Sequence, residues 1–154
     1  MPDGQLMRYC LICLFVVLTG LSGATLAEDI MAVSHPRVKD RIALMRNAHH
    51  ALSVLVDMAA GRLMFDKQQA KTNRRALIKT TRKIPERFRN NPSDPASNAR
   101  EKIWDNWGGF KTHAKSANQK AKLINTRNLG KLRQSLQPMM HACLSCHKTY
   151  RKPP

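Results

Sequence analysis

Residues 143–151 have the sequence CLSCHKTYR, which contains a complete C-x-x-C-H motif. On a helix that turns about 100° per residue, Cys143, Cys146 and His147 fall within an arc of about 100°. Both sulfurs can therefore reach the vinyl groups on one edge of a porphyrin while the imidazole turns towards the iron. The motif predicts one covalently bound haem c, attached through the two cysteines, with the histidine as proximal ligand.

Two other kinds of site use a C-x-x-C pair. A structural zinc site normally takes four protein ligands, so a distant histidine would have to join Cys143, Cys146 and His147. The sequence has a second cysteine pair, Cys10 and Cys13, but this pair has no following histidine and lies in an apolar N-terminal segment. A thioredoxin-like redox pair belongs beside βαβ structure, of which the pattern has none. Haem attachment is the interpretation that these comparisons favour.

The first 27 residues have the pattern of a signal peptide. Arg8 supplies a positive charge, residues 9–18 are largely apolar, and small residues lead to Ala27. The apolar run is shorter than the roughly 20 residues that span a bilayer, and small residues end it. We therefore expect cleavage after Ala27, export to the periplasm, and no stable membrane insertion after cleavage.

Residues 28–154 are enough for one domain with one modest core. Apolar residues recur at three- and four-residue steps, and β-strand alternation is absent, so four helices are expected. Short connections between four helices are typical of an antiparallel bundle. The predicted fold class is therefore all-α, a four-helix bundle with its haem near the C-terminus.

The first two predicted helices have clear end signals. The first opens at the sequence Ser34-His35-Pro36 and ends before a C-cap at Gly61. The second follows Asp66, a good N-cap, and ends near Ile84, before Pro85.

The last two helices have weaker signals. Asn98 and Glu101 resemble a capping box for the third helix, which Gly108-Gly109 weakens locally. The fourth begins near Thr126 and includes the cysteine motif. Pro138 falls inside it, and we expect a kink or break there because proline removes one backbone hydrogen bond.

The charge of the chain is strongly positive, with 27 Lys and Arg against 10 Asp and Glu and a formal net charge of +17. Such an excess favours an acidic redox partner protein, an anionic membrane surface or nucleic acid, and export argues against nucleic acid. Basic residues occur along every segment, so charge alone does not choose the partner. No residue constellation suggests hydrolysis or group transfer, and we do not expect an enzyme.

Several segments resemble the cytochrome c prime family, the class II c-type cytochromes. Residues 38–45 resemble the opening helix of that family, and Gly61 falls where a family glycine ends it. Residues 103–105, followed by residues 110–111, are similar to its Trp-containing segment. Residues 143–151 resemble its C-x-x-C-H-x-x-Y-R signature, here near the C-terminus. The resemblance implies an up-down-up-down bundle with one haem c, and it leaves a homodimer possible.

The resemblance also bears on the sixth ligand of the iron. If Arg41 matches the family arginine, Met45 lies one turn further along on the distal side of the haem. The low-spin, cytochrome c-556-like branch uses a methionine of this helix as sixth ligand, which implies a His/Met electron carrier with Met45 bound to iron. The alternative is a five-coordinate site that binds nitric oxide or carbon monoxide, with Met45 as a packing residue. His49 is a further candidate ligand.

Two arginines complete the candidate site. The resemblance implies that Arg41 pairs with a haem propionate, for which the forked guanidinium is suited. Arg151 lies four residues after His147, and we expect its charge to tune the proximal imidazole.

Overall fold

The computed structural model describes residues 33–153, so the predicted signal peptide lies outside the described residues. The described part contains five helices and no strand beyond one isolated antiparallel bridge between Ala99 and Arg151. The helices are α1 (Pro36–Ala60), α2 (Lys67–Arg87), α3 (Lys102–Asp105), α4 (Trp107–Leu123) and α5 (Leu129–Tyr150). The predicted all-α four-helix bundle is confirmed, with α3 as an extra single turn before α4.

Both ends of α1 follow the predicted signals, with one change of residue. Pro36 occupies the first turn, and Gly61 adopts the left-handed conformation with φ +78° that ends the helix. The N-cap, however, is His35, whose Nδ1 accepts the backbone N–H of Arg37 at 3.2 Å. Ser34 instead donates its hydroxyl to Asp94 at 3.2 Å.

The end of α2 corrects the predicted stop before Pro85. Asp66 caps the helix as expected, but α2 continues through Pro85 to Arg87. A proline in the last turn costs one backbone hydrogen bond, and the buried side chains of Ile84 and Phe88 hold that turn against the core.

The single third helix that was predicted is divided in two. Asn106 leaves helical geometry with φ −125° and ψ 57°, and its side chain accepts the N–H of Gly109 at 3.1 Å to cap α4. The predicted capping box does not form. The carbonyl of Asn98 accepts the N–H of Lys152, and the carboxylate of Glu101 accepts the side-chain amide of Asn91.

Pro138 does not break the helix that carries the cysteine motif. α5 is continuous and begins after Asn128, which caps it by accepting the N–H of Lys131, rather than near Thr126. Leu136 and Met139, on either side of Pro138, are both buried. Their packing outweighs the loss of one backbone hydrogen bond.

Contacts between helices show that neighbours run antiparallel. Near one end of the bundle, Arg74 of α2 donates to the carbonyl of Lys122 in α4, and Arg133 of α5 donates to the carbonyl of Ala59 in α1. We call this the loop end. At the opposite end, Arg87 of α2 pairs with Asp40 of α1; we call this the motif end, because the C-x-x-C-H sequence lies in the closing turns of α5.

Two groups of buried side chains form the core. The central cluster draws on all four long helices and on the segment after α4, and its larger members are Leu55, Met58, Leu77, Ile124, Leu132, Leu136 and Met139. The aromatic cluster lies at the motif end and contains Leu44, Ile84, Phe88, Ile103, Phe110, Ala114 and Tyr150. Among residues 33–153 no helix is long and apolar enough to cross a membrane.

Candidate functional site

The C-x-x-C-H motif lies where the two clusters meet. Cys143 packs against the central cluster and Cys146 against the aromatic cluster, and both are partly buried free thiols. Burial raises the pKa of Cys143, and burial together with the neighbouring Cys143 raises the pKa of Cys146 to about 11. The apolar surroundings on both sides suit the porphyrin that the motif predicts.

His147 follows directly on the same helix. Desolvation, and secondarily the positive charge of Arg151, lower the pKa of His147 below its ordinary value of 6.5, so the imidazole is neutral at pH 7. Neutral imidazole is the form that binds a metal. The backbone N–H of Arg151 donates to the carbonyl of His147 at 3.0 Å, which joins the residue after α5 to the last turn of the helix.

Arg41 is 3% exposed and lies between two aromatic rings. Its guanidinium carbon is 5.1 Å from the ring centroids of both Phe88 and Trp104. Nε donates to the carbonyl of Arg87 at 3.1 Å, and Nη2 donates to the carbonyl of Asn90. Nη1 is buried without a partner in the described chain. Burial, with a smaller contribution from a neighbouring arginine, lowers the pKa of Arg41, yet a guanidinium stays charged.

The unpaired Nη1 is the observation that tests whether a haem fits. A buried charged donor without an acceptor is unfavourable, and a carboxylate is the acceptor that a guanidinium binds best. Arg41 packs on Phe88 and Trp104, and Cys146 contacts the same aromatic cluster. A haem held by the motif would bring its carboxylates to this part of the bundle, so the residues present fit the group.

Met45 and His49 occupy different surroundings on α1. Met45 is partly buried and packs against the aromatic cluster, beside which Cys146 also lies. His49 is exposed. The structure therefore brings Met45, rather than His49, towards the same part of the core as the motif.

Tyr150 is a site residue that the sequence pointed to only as part of the motif. It is 4% exposed, and its ring packs edge-on against Phe110 at 5.3 Å and against His113 at 5.5 Å. A side chain on Gly109 would come within 2.8 Å of its hydroxyl. Tyr150 is buried whereas His147 is exposed, so spacing from His147 did not indicate that Tyr150 faces the core.

Phe88 was missed by the sequence reasoning. It ends α2, stacks beside Arg41, and contacts Phe110 with ring centroids 5.4 Å apart. Its carbonyl accepts the indole N–H of Trp104 at 2.8 Å. Because a helix was expected to stop before Pro85, nothing in the pattern placed Phe88 in the core.

Comparison with known proteins identifies the family. The family model described as Cytochrome C' matches residues 37–151, most of the described chain. The chain therefore belongs to the cytochrome c' family, whose members carry one covalently attached haem c. Among curated proteins, none matches the chain significantly.

Solved structures agree on the fold. Cytochrome c' from Rhodobacter Spheriodes has a TM-score of 0.70 and 19% identity, over 77% of this chain and 96% of that one. Two variants of cytochrome c prime from Alcaligenes xylosoxidans, a leucine-to-isoleucine variant as its nitric oxide complex and a leucine-to-glycine variant with bound carbon monoxide, have TM-scores of 0.67 and 0.66. Each is 22% identical over 76% of this chain and 94% of that one.

These comparisons contradict the predicted His/Met electron carrier. The matching family is cytochrome c', and relatives of the same fold have been solved with nitric oxide and carbon monoxide bound, which favours the gas-binding alternative. The expectation was wrong because a methionine on an apolar helix face packs as readily as it ligates. Met45 contacts the aromatic cluster as a packing residue would. Membership of the cytochrome c-556-like branch is likewise unsupported.

Proposed function

We propose that this chain is a five-coordinate cytochrome c' that binds small gases such as nitric oxide or carbon monoxide. The observation that carries the proposal is the match of residues 37–151 to the cytochrome c' family. The gas complexes of structurally similar proteins support it. When bound, the haem supplies an iron atom with one free coordination position. The chain supplies everything around that position.

Three residues of α5 hold the haem in this proposal. Cys143 and Cys146 form the thioether bonds, and their places against the central and aromatic clusters keep the attached edge in apolar surroundings. His147 is the proximal ligand, and its neutral imidazole is ready to bind.

Two arginines act at the edges of the site. Arg41 binds a haem propionate through Nη1, the buried donor that has no protein acceptor. The rings of Phe88 and Trp104 and the two backbone carbonyls hold the guanidinium in place. Arg151 keeps a positive charge near His147, which disfavours a protonated imidazole.

Met45 borders the distal side without bonding the iron. It is a partly buried apolar side chain packed on the aromatic cluster, and it offers no hydrogen to donate. It therefore excludes water from the free position and limits the size of a ligand that can enter. The free coordination position therefore accepts small, weakly polar molecules in preference to larger or more polar ones.

The location and the assembly of the protein belong to the same proposal. We infer export to the periplasm from the pattern of residues 1–27 and from the family. We also propose a binding role rather than an enzymatic one, and a homodimer of the haem-loaded bundle.

The experiment is an absorption spectrum of the haem-loaded protein, produced in a host that attaches haem c. We expect a high-spin ferrous spectrum that changes on addition of carbon monoxide, and a tryptic peptide containing Cys143 and Cys146 whose mass includes one haem. Met45→Ala should bind carbon monoxide roughly tenfold more tightly, which corresponds to about 1.4 kcal/mol of relieved crowding.

The matched control is Met64→Ala, since Met64 is 87% exposed and lies at the loop end. This variant should bind carbon monoxide as the unchanged protein does. A low-spin ferrous spectrum that does not change on addition of carbon monoxide would contradict the proposal. A peptide without the haem mass would show that no haem is attached, and the gas-binding proposal would then fail.

A further inference from the structure

Three large apolar side chains are exposed at the loop end of the bundle. Leu63 and Met64, in the loop between α1 and α2, are 38% and 87% exposed, and Leu123, the last residue of α4, is 68% exposed. The residue that follows each group turns inward, since Phe65 and Ile124 both pack in the central cluster. Single exposed apolar residues are ordinary, but these share one end of the molecule.

The same end is rich in basic residues. Residues 57–75 and 118–135 contain ten basic side chains and two acidic ones. The basic residues are Arg62, Lys67, Lys71, Arg74, Arg75, Lys120, Lys122, Arg127, Lys131 and Arg133. Both carboxylates are engaged, Asp57 with Arg62 at 2.6 Å and Asp66 as the cap of α2.

The acidic residues of the described chain are concentrated at the other end. Five of the seven acidic residues within 33–153 lie on elements of the motif end: Asp40, Glu86, Asp94, Glu101 and Asp105. At the loop end, the exposed Lys67, Lys122 and Lys131 form no ion pair within residues 33–153. No carboxylate of the described chain therefore neutralises these three charges.

We propose that the loop end is a docking surface for bilayers containing anionic phospholipid. Cations within a Debye length of such a surface are attracted to it, and apolar side chains gain by entering the acyl boundary. A nucleic acid would be attracted by the charge but would give Met64 and Leu123 no apolar environment. Docking in this way leaves the motif end, with its haem, directed away from the membrane.

The surface does not depend on the gas-binding proposal, because its residues lie at the end of the bundle opposite the motif. The interaction is peripheral and reversible, since it uses exposed side chains and no spanning helix. Its strength should fall steeply with salt concentration, as expected for exposed charges.

The experiment measures how much haem-loaded protein sediments with lipid vesicles, using the haem absorbance to quantify it. Vesicles of phosphatidylcholine with phosphatidylglycerol should retain the protein, and vesicles of phosphatidylcholine alone should not. The triple variant Lys67→Gln, Lys122→Gln, Lys131→Gln should weaken retention roughly tenfold or more. The matched control, Lys39→Gln, Lys102→Gln, Lys111→Gln, has the same net charge but changes the motif end, and should weaken retention less than about threefold.

A second pair of substitutions tests the apolar contribution. Met64→Gln with Leu123→Gln keeps the charge and should also weaken retention. All altered side chains are exposed, so the haem spectrum and carbon monoxide response should stay unchanged, and that measurement identifies any variant that has misfolded. Retention equal on both kinds of vesicle, or equal loss in both lysine triples, would overturn the proposal. So would unchanged retention of the apolar variant. Self-association that the loop-end variants abolish would assign the surface to a second copy of this chain instead.

Discussion

Arg41 combines a permanent charge with almost complete burial. Its two donors to the carbonyls of Arg87 and Asn90 tie α1 to the end of α2 and the loop after it. Its place between Phe88 and Trp104 adds cation–π attraction on both faces. The side chain therefore stabilises the bundle as well as offering Nη1 to a ligand.

Arg41→Lys should destabilise the protein, because a single ammonium cannot reproduce the guanidinium fork. Leaving one buried carbonyl without a donor costs about 1–3 kcal/mol. The measurement is the free energy of unfolding in denaturant. Arg37→Lys, at an exposed position of the same helix, is the control and should change little. An unchanged midpoint for Arg41→Lys would refute this structural role.

Asp94 is a buried carboxylate that collects hydrogen bonds from the start of α1. It accepts the N–H of His35 at 2.8 Å, the N–H of Ala96 at 2.9 Å, and the hydroxyl of Ser34 at 3.2 Å. These bonds, above all that from His35, hold the pKa of Asp94 below its ordinary value of 3.8.

Asp94→Asn should lower stability at neutral pH, with an effect that disappears in acid. A depressed pKa in the folded state means that the carboxylate contributes stability above pH 3.8 and loses it as the pH falls through the folded value. Thermal unfolding of both proteins from neutral to acid pH measures this. Asp105→Asn, at an exposed carboxylate, is the control and should change the unfolding temperature little at neutral pH. A difference for Asp94→Asn that persists in strong acid would contradict the assignment.

For single residues, the chemical role was predictable where the spacing of a sequence motif determines it. Cys143, Cys146 and His147 followed from one motif, whereas the place of Met45 one turn after Arg41 led to the His/Met electron carrier, which was wrong. The burial of Arg41 was not predictable, because its compensation comes from backbone carbonyls and aromatic rings that only the tertiary structure brings together. On α1, Arg41 is buried along with apolar residues such as Leu44 and Met58.

The start of α4 depends on a close approach between elements. Gly109 lies where a Cβ would be 2.6 Å from the side-chain amide of Asn106 and 2.8 Å from the hydroxyl of Tyr150. Asn106 is held by capping α4, and Tyr150 is held by Phe110 and His113. Neither neighbour can move away freely.

The adjacent glycines give a matched pair. Gly109→Ala should lower the free energy of unfolding by about 1–3 kcal/mol because of overpacking. Gly108→Ala meets no atom within 4 Å and should be neutral or stabilising by up to about 1 kcal/mol, since alanine is the better helix former. Denaturant unfolding of the two variants measures the contrast. Equal effects would show that Tyr150 does not constrain this helix.

Among the elements, the end of α1 and the start of α2 were predictable, and the other helix starts and the helix interiors were less so. Asp66 and Gly61 act as caps through local hydrogen bonds and backbone conformation, which neighbouring residues determine. Pro85 and Pro138 were given too much weight, because buried residues beside each proline hold the helix together. Asn106, in contrast, breaks a helix that periodicity alone would continue.

For the whole molecule, helix number and antiparallel order followed from periodicity and short connections. The distribution of charge did not, since basic residues occur in every segment and only the fold brings five of the seven acidic residues within 33–153 to the motif end. The ligand set of the iron was also beyond the pattern. The predicted homodimer stays a prediction.

The bonds from Ser34 and His35 to Asp94 close a loop of about sixty residues. Such a contact is non-local, and the chain loses conformational entropy to form it before it returns any stabilisation. We expect it to close late in folding, after α1 and α2 have paired, and to open early when the protein unfolds. The contact at the start of α1 should therefore affect the unfolding rate, and with it the lifetime of the native bundle, more than the folding rate.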